Sequence, residues 1–146
     1  MSAESVKQEL VGTWLLESAV FKDKNGDSAN AVGANPKGIL MLDRTGHFSF
    51  QLMGDKRVKY AAGDRLGGTP AEHKGVATGT IACFGKYSVD PAGRTLTFHV
   101  KGHSYRNWEG GDLKRTIIKL AGDELTDSNP KTSWGGTSTI VWKRAQ

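Results

Sequence analysis

The chain has 146 residues, of which 37% are hydrophobic and 24% charged, and these proportions are typical of a globular domain rather than a disordered chain. The formal net charge is +5, but Lys and Arg are scattered and form no basic run or nucleic-acid-binding motif. We therefore predict a single domain over residues 1–146 and expect no nucleic-acid partner.

Neither export nor membrane insertion is indicated by the sequence. No apolar run approaches the roughly 18 residues of a membrane span, and the N-terminus carries no apolar signal core. Because Cys83 is the only cysteine, no internal disulfide can form. We expect a cytoplasmic protein without a membrane partner.

The first half of the chain predicts strands joined by turns. Three strands with alternating or continuous apolar residues are predicted here: residues 11–21, 38–42 and 47–53. The periodicity then disappears over residues 54–68. A loop of this length in a compact domain is usually functional, so we expect it to cover the mouth of a pocket.

The second half begins with a short helix and continues with strands. Thr69, Pro70 and Glu72 supply a helix cap, a first-turn proline and the acidic residue of a capping box. Five strands follow, separated by tight turns or loops: residues 80–90, 94–105, 113–120, 124–126 and 137–144. Residues 127–136 are predicted to be a loop.

These elements predict an all-β fold with eight or nine strands and one or two short helices. No strand–helix–strand alternation recurs, which argues against a parallel sheet. An antiparallel up-and-down barrel fits, because closure leaves no exposed sheet edge. An eight-stranded barrel either is filled by side chains or holds one small ligand.

The stretch from Arg94 to Trp108 is the densest in residues that are both aromatic and polar. On a regular strand His99, His103 and Tyr105 share one face, and the apolar residues from Leu96 to Val100 share the other. If the polar face points inward, it offers a titratable imidazole to a ligand. If it points to solvent, the apolar face lines the pocket instead.

The candidate catalytic chemistry is proton transfer without a cofactor. His99 and His103 lie about 13 Å apart on a regular strand, too far to bind one metal ion. A bulge at Gly102 could shorten this distance, but no Cys or carboxylate before Glu109 is near enough to complete a metal site. No glycine-rich phosphate loop, Gly-x-Ser-x-Gly or His-Glu-x-x-His motif occurs, so we expect neither metal nor cofactor. His99 or His103 would be the general base, and Tyr105 or Arg115 would stabilise developing negative charge.

Several other residues are candidates for ligand binding. Some offer aromatic surface or an amide, and those in the long loop could recognise an anionic group. They are Trp108, Asn107, Tyr87, His47, Phe50, Arg57 and Tyr60.

A run of short motifs resembles a known family. Gly12-Thr13-Trp14 is similar to the Gly-x-Trp signature of lipocalins and their calycin relatives, in which an Arg near the end of the last strand covers the Trp; Arg144 is placed for that role. The order of further motifs resembles the bacterial and fungal lipocalin-like domain family: Leu10-Val-Gly-Thr-Trp14, Asn35-Pro-x-Gly38, Gln51-Leu-Met53, Ala61-x-Gly-Asp64, Phe84-Gly-x-Tyr-x-Val-Asp90, His99-Val100 and Asn107-Trp108-x-Gly110. The resemblance implies a small barrel with a central pocket, but no particular reaction, and its matches at His99 and Trp108 favour an inward polar face.

Two functions follow from this sequence. The first is a lipocalin-like barrel that binds a small hydrophobic molecule, anionic or aromatic, in its central pocket. The alternative is a cofactor-independent isomerase, cyclase or lyase that uses a pocket histidine as general base. The density of titratable groups near His99 favours the enzyme, and the absence of an acid/base pair at recognisable spacing favours the binder. The expected partner is the small molecule, and a homodimer stays open.

Overall fold

Strands make up most of the structure, a computed structural model that describes residues 2–29, 31–132 and 135–146. Within these ranges there are nine strands: β1 (Gly12–Lys22), β2 (Ser28–Ala29), β3 (Lys37–Leu42), β4 (His47–Met53), β5 (Thr80–Val89), β6 (Thr95–His103), β7 (Asp112–Ala121), β8 (Glu124–Asn129) and β9 (Thr137–Arg144). The helices are α1 (Ala3–Leu10), α2 (Pro70–Thr78) and a single 3₁₀ turn (Arg106–Trp108).

The strands form one antiparallel sheet that closes on itself. Its order is β2-β1-β3-β4-β5-β6-β7-β8-β9, and β1 also pairs with β9 from Trp14 opposite Arg144 to Lys22 opposite Thr137. The short β2 pairs only with the end of β1, so eight strands make the barrel and β2 is an addition to it. The predicted all-β, up-and-down barrel is confirmed.

Alternating apolar residues of the strands fill the barrel. Successive side chains on a strand point to opposite faces, and the sheet curls so that the apolar face is enclosed. The buried core includes Leu40, Leu42, Phe48, Phe50, Leu52, Leu96, Phe98, Val100, Leu125, Ile140 and Trp142.

One end of the barrel is closed by α1 and by Trp14, which is fully buried. The Trp14 indole Nε1 donates to the Leu10 carbonyl oxygen at 2.9 Å, and the guanidinium carbon of Arg144 lies 4.2 Å from the Trp14 ring centroid. Arg144 also donates to the carbonyl oxygens of Glu9 and Val11, which ties the last strand to the end of α1. The role that the resemblance implied for Arg144 is confirmed, and we call this end the base.

Helix α2 and the loop before it lie at the opposite, open end. The predicted capping box is present, because the Thr69 hydroxyl accepts from Glu72 N and the Glu72 carboxylate accepts from Thr69 N. The same carboxylate accepts from Ala61 N, and the Tyr60 hydroxyl lies 2.9 Å from His73 Nδ1. These bonds hold the loop of residues 54–68 against α2.

Two strand boundaries differ from the sequence prediction. Strand β8 continues to Asn129, so Asp127 belongs to the sheet and not to the predicted loop. Strand β6 ends at His103, and Tyr105 leads into the 3₁₀ turn. The predicted loop of residues 127–136 includes positions 133 and 134, which lie outside the described residues. Among the helices that the structure describes, none is long and apolar enough to cross a membrane.

Candidate functional site

A β-bulge in β6 determines which side chains of this strand enter the barrel. Phe84 is opposite Gly102 and Gly85 is opposite Val100, so Lys101 is an extra residue without a partner on β5. A Cβ atom on Gly85 would lie 2.1 Å from the His99 carbonyl oxygen, which means that this close approach of the two backbones requires glycine.

The bulge divides the predicted polar face between the outside and the inside. Before the bulge Val100 is buried and His99 is exposed, whereas after it His103 lies opposite the inward Cys83. The extra residue shifts the alternation by one position. The expectation that His99 and His103 share one face was made for a regular strand, and the bulge separates the two residues, so only His103 enters the barrel.

An internal cavity of about 40 Å³ lies near the open end. This space holds a few atoms, such as a water molecule or a small polar group. Apolar side chains form much of its wall, and the polar residues that line it are His103, Arg115, Asn129, Thr132 and Ser138. A cluster of polar groups in an apolar barrel interior needs hydrogen-bond partners, because unpaired buried polar groups are costly.

Arg115 and Asp127 form a buried ion pair beside the cavity. Arg115 Nε lies 3.9 Å from Asp127 Oδ1, and the Trp142 indole donates to Asp127 Oδ2 at 2.9 Å. Asp127 Oδ1 has no hydrogen-bond partner among the described residues. Burial raises the pKa of Asp127 to about 6, although the Arg115 charge and the Trp142 hydrogen bond oppose this shift. Burial also lowers the pKa of Arg115, which nevertheless stays protonated.

His103 is held in one orientation by the backbone of the next turn. Its Nδ1 accepts a hydrogen bond from Tyr105 N at 2.8 Å, so a neutral ring carries its proton on Nε2. Nε2 is buried and has no hydrogen-bond partner within the described ranges. Burial lowers the pKa of His103, the nearby Arg115 charge lowers it further, and Glu109 opposes both. The imidazole is therefore a neutral donor.

A groove of about 350 Å³ lies next to the cavity at the barrel mouth. Ile81, His103 and Trp108 line both spaces, so the cavity and the groove are adjacent and share these side chains as walls. The Trp108 ring packs edge-on against His103 at 5.0 Å and against Tyr105 at 5.4 Å between ring centroids. The mouth groove thus has aromatic walls and lies directly beside the polar cavity.

A wider cleft of about 580 Å³ lies next to the mouth groove. It runs between the loop of residues 54–68 and α2, and it shares Ala77, Thr80 and Ser104 with the mouth groove. Among the described residues, no group of three or more His, Cys, Asp or Glu could hold a metal ion.

The family model of a lipocalin-like domain matches residues 11–145 of this chain. The chain belongs to the lipocalin-like domain family. A search of curated proteins finds no match. The fold and the family membership agree with small-molecule binding in general, because an eight-stranded barrel of this kind can hold one small ligand.

Four of the residues that the sequence singled out meet in the interior of this lipocalin-like domain: Phe50, His103, Trp108 and Arg115. Tyr105 lines the mouth groove, and Asn107 Nδ2 donates to the Tyr105 hydroxyl at 2.9 Å from outside. Tyr60 lines the neighbouring cleft.

The other candidates lie away from the cavity. His99 is on the outer face, and His47 follows the β3–β4 turn at the base. Tyr87 is buried in the core, where its hydroxyl donates to the Asp43 carbonyl oxygen. Arg57 Nε donates to the carbonyl oxygen of Gly54, at the start of the loop.

The sequence analysis missed Asp127, Asn129 and Ser138. It ended the strand that is now β8 at residue 126, and it assigned no polar side chain of β9 to the barrel interior. A signal was present in both strands. Asp127 and Asn129 continue the alternation that begins at the buried Leu125, and Ser138 precedes the buried Ile140 by two residues. Polar residues in phase with buried apolar ones on a barrel strand therefore indicate an interior site.

Proposed function

We propose that this lipocalin-like domain binds a small molecule whose anionic group enters the cavity and whose flat apolar body lies in the mouth groove. The observation that carries the proposal is a pair of donors in the cavity wall. His103 Nε2 has no hydrogen-bond partner among the described residues, and the buried guanidinium of Arg115 has one, from Nη1 to the Lys114 carbonyl oxygen at 3.1 Å. Asp127, the charged partner of Arg115 among the described residues, lies beyond hydrogen-bond distance at 3.9 Å.

The energetics favour an anionic group at this position. A buried guanidinium loses its hydration, and one hydrogen bond to the Lys114 carbonyl oxygen and an attraction to Asp127 across 3.9 Å replace only part of it. A carboxylate in the cavity would accept charge-assisted hydrogen bonds from Arg115 and a further bond from His103 Nε2. Each hydrogen bond that involves a charged group contributes about 1.5–3 kcal/mol.

The sizes of the two spaces divide the ligand into a small head and a larger body. The cavity of about 40 Å³ accepts a group of a few atoms. The mouth groove of about 350 Å³ is large enough for a ring system, and ligand pockets are typically about 300–1,000 Å³. Trp108 and Tyr105 provide the aromatic surface on which a flat ring packs.

The alternative, a cofactor-independent isomerase, cyclase or lyase, would require a base that reaches the substrate. The hydrogen bond from Tyr105 N to His103 Nδ1 favours the form with the proton on Nε2. In this form Nε2 donates a hydrogen bond and cannot act as a base, and the basic nitrogen, Nδ1, already accepts from the backbone. Asp127 is fully enclosed beneath Arg115 and is not among the residues that line the cavity. These contacts support binding over catalysis in the cavity.

The proposal is tested with naphthoate and naphthylmethanol, which share a ring system and differ in charge. Isothermal titration calorimetry should give naphthoate at least about tenfold tighter binding to the wild type, the equivalent of one charge-assisted hydrogen bond. The double variant Arg115→Met/Asp127→Asn removes both buried charges, and it should bind the two compounds equally.

Arg44→Met is the matched control, because it removes an exposed arginine from the turn at the base. It should keep the preference for naphthoate. An unchanged preference in the double variant would mean that the anion binds elsewhere.

A further inference from the structure

Three side chains on the outer face of the barrel form a hydrogen-bonded chain that is separate from the cavity. Ser88 Oγ lies 2.7 Å from His99 Nε2, and His99 Nδ1 lies 2.8 Å from Asp112 Oδ1. All three residues are exposed to solvent. The arrangement joins a hydroxyl, an imidazole and a carboxylate in the order that activates a serine nucleophile.

The sheet register holds the three residues on neighbouring strands. His99 on β6 is directly opposite Asp112 on β7, and on its other side it is opposite Lys86 of β5. Ser88 follows Lys86 by two residues, so it lies on the same outer face and diagonal to His99. The positions come from paired strands and not from a loop, which fixes their mutual geometry.

The hydrogen bonds define the tautomer of His99. An ionised carboxylate only accepts, so His99 Nδ1 carries the proton that is donated to Asp112. In the neutral ring Nε2 is then an acceptor, and the Ser88 hydroxyl donates to it. This tautomer is the opposite of the one in His103, and it leaves His99 able to take a proton from Ser88.

We propose that Ser88, His99 and Asp112 form a nucleophilic site that hydrolyses small esters whose leaving group is acidic, such as phenyl esters. Ser88 is the nucleophile, His99 the general base and then the general acid, and Asp112 a positioning residue. The site is independent of the cavity and of the ligand proposed for it.

The reaction has two balanced steps. Ser88 Oγ bonds to the ester carbonyl carbon while its proton moves to His99 Nε2, the ester C–O bond breaks, and His99 returns the proton to the leaving alkoxide or phenoxide. Water then attacks the acyl-serine, gives a proton to His99, and releases the carboxylic acid as the proton returns to Ser88 Oγ. One ester and one water become one acid and one alcohol.

The surroundings of the three residues determine the substrate class. They lie on the convex side of the sheet, so little of a substrate is enclosed and a good leaving group is needed. Two lysines lie nearby on the neighbouring strands. Lys86 of β5 is directly opposite His99, and Lys114 of β7 is opposite Thr97 of β6, the residue that faces Ser88 from the other side. These two ammonium groups flank the site and favour substrates and leaving groups with negative charge.

The test uses the full chain and p-nitrophenyl acetate. Wild type should release nitrophenolate, and mass spectrometry of quenched, digested protein should find one acetyl group on Ser88. Ser88→Ala and His99→Ala should each lower the rate at least about tenfold, because general-base catalysis typically contributes a factor of 100 or more. The control His47→Ala removes another exposed histidine that bonds a neighbouring hydroxyl, and it should keep the wild-type rate.

Asp112→Asn tests the positioning role. An amide in place of the carboxylate can donate to His99 Nδ1, which moves the ring proton to Nε2 and removes the acceptor for Ser88. The variant should lower kcat and leave KM unchanged.

Two results would overturn the proposal: a wild-type rate in Ser88→Ala, or an acetyl group on Lys86 or His99 in place of Ser88. Circular dichroism that matches wild type verifies the fold of each variant.

Discussion

At the scale of single residues, two buried titratable groups near Arg115 have pKa values that are shifted in opposite directions. Burial raises the pKa of the Asp127 carboxyl from 3.8 to about 6 and lowers the pKa of the His103 imidazole below 6.5. Burial disfavours the charged form of each group, and the charged form is the deprotonated one for Asp127 and the protonated one for His103. Both side chains are therefore most compatible with the fold when neutral.

These shifts predict opposite dependences of stability on pH. A raised carboxyl pKa contributes stability that is complete below 3.8 and is lost as pH rises through about 6. From pH of about 7 to about 5, wild type should gain about 1 kcal/mol of unfolding free energy relative to Asp127→Asn. The lowered pKa of His103 has the opposite effect: its contribution to stability is present above pH 6.5 and is lost as the pH falls through the folded pKa. As the pH falls, wild type should therefore lose unfolding free energy relative to His103→Gln.

Urea denaturation of the three proteins across this pH range measures both slopes. Parallel curves for wild type and Asp127→Asn would mean that Asp127 is solvated. Parallel curves for wild type and His103→Gln would mean the same for the imidazole.

At the scale of elements, turn signals and apolar alternation predicted most of the barrel from sequence. The α2 capping box was also readable, because Thr69, Pro70 and Glu72 act through contacts along the chain. The sequence allowed a β6 bulge but predicted neither its presence nor its position, since one extra residue changes the inward face without changing the composition of the strand. The end of β8 was misjudged because Asp, Ser and Asn are depleted in strands, and pairing with β7 and β9 overrides that preference.

The β6 bulge predicts a cost for any side chain at Gly85. Gly85→Ala places a methyl group against the His99 carbonyl oxygen and should lower the unfolding free energy by about 1–3 kcal/mol. It should also weaken naphthoate binding, because His103 loses its inward position when the bulge moves. Gly111→Ala is the control, since a Cβ there meets no atom closer than 3.5 Å, and both its stability and its binding should match wild type. Wild-type stability in Gly85→Ala would contradict the close approach at the bulge.

At the scale of the whole molecule, the barrel is closed at the base and open at the mouth. The base combines a fully buried Trp14 with the Arg144 guanidinium above its ring, whereas the mouth combines a half-buried Trp108 with polar cavity groups. The sequence could predict the base, because Gly-x-Trp is a local motif and Arg144 lies near the end of the last strand. The cavity could be predicted only in part, since its polar residues come from four strands and from the connection between β8 and β9, which meet only after closure.

The difference between the closed base and the open mouth predicts different consequences for two tryptophan substitutions. Trp14→Ala removes a buried ring and the aromatic face against which Arg144 packs, so it should lower the unfolding free energy by about 3–5 kcal/mol. Trp108→Ala should cost clearly less, because this ring is only half-buried, but it should weaken naphthoate binding. Urea denaturation gives both values. A loss below about 1 kcal/mol for Trp14→Ala would contradict its role at the base.

The most direct test of ligand binding in the cavity is an NMR titration of the protein with ¹⁵N-labelled histidine. The chain has four histidines, and His103 is the one that lines the cavity. The free protein should show His103 as the Nε2–H tautomer, and saturating naphthoate should shift this Nε2–H resonance downfield as the carboxylate accepts its hydrogen bond. His47, at the base, should not respond. An unchanged His103 resonance at saturation would contradict an anionic group in the cavity.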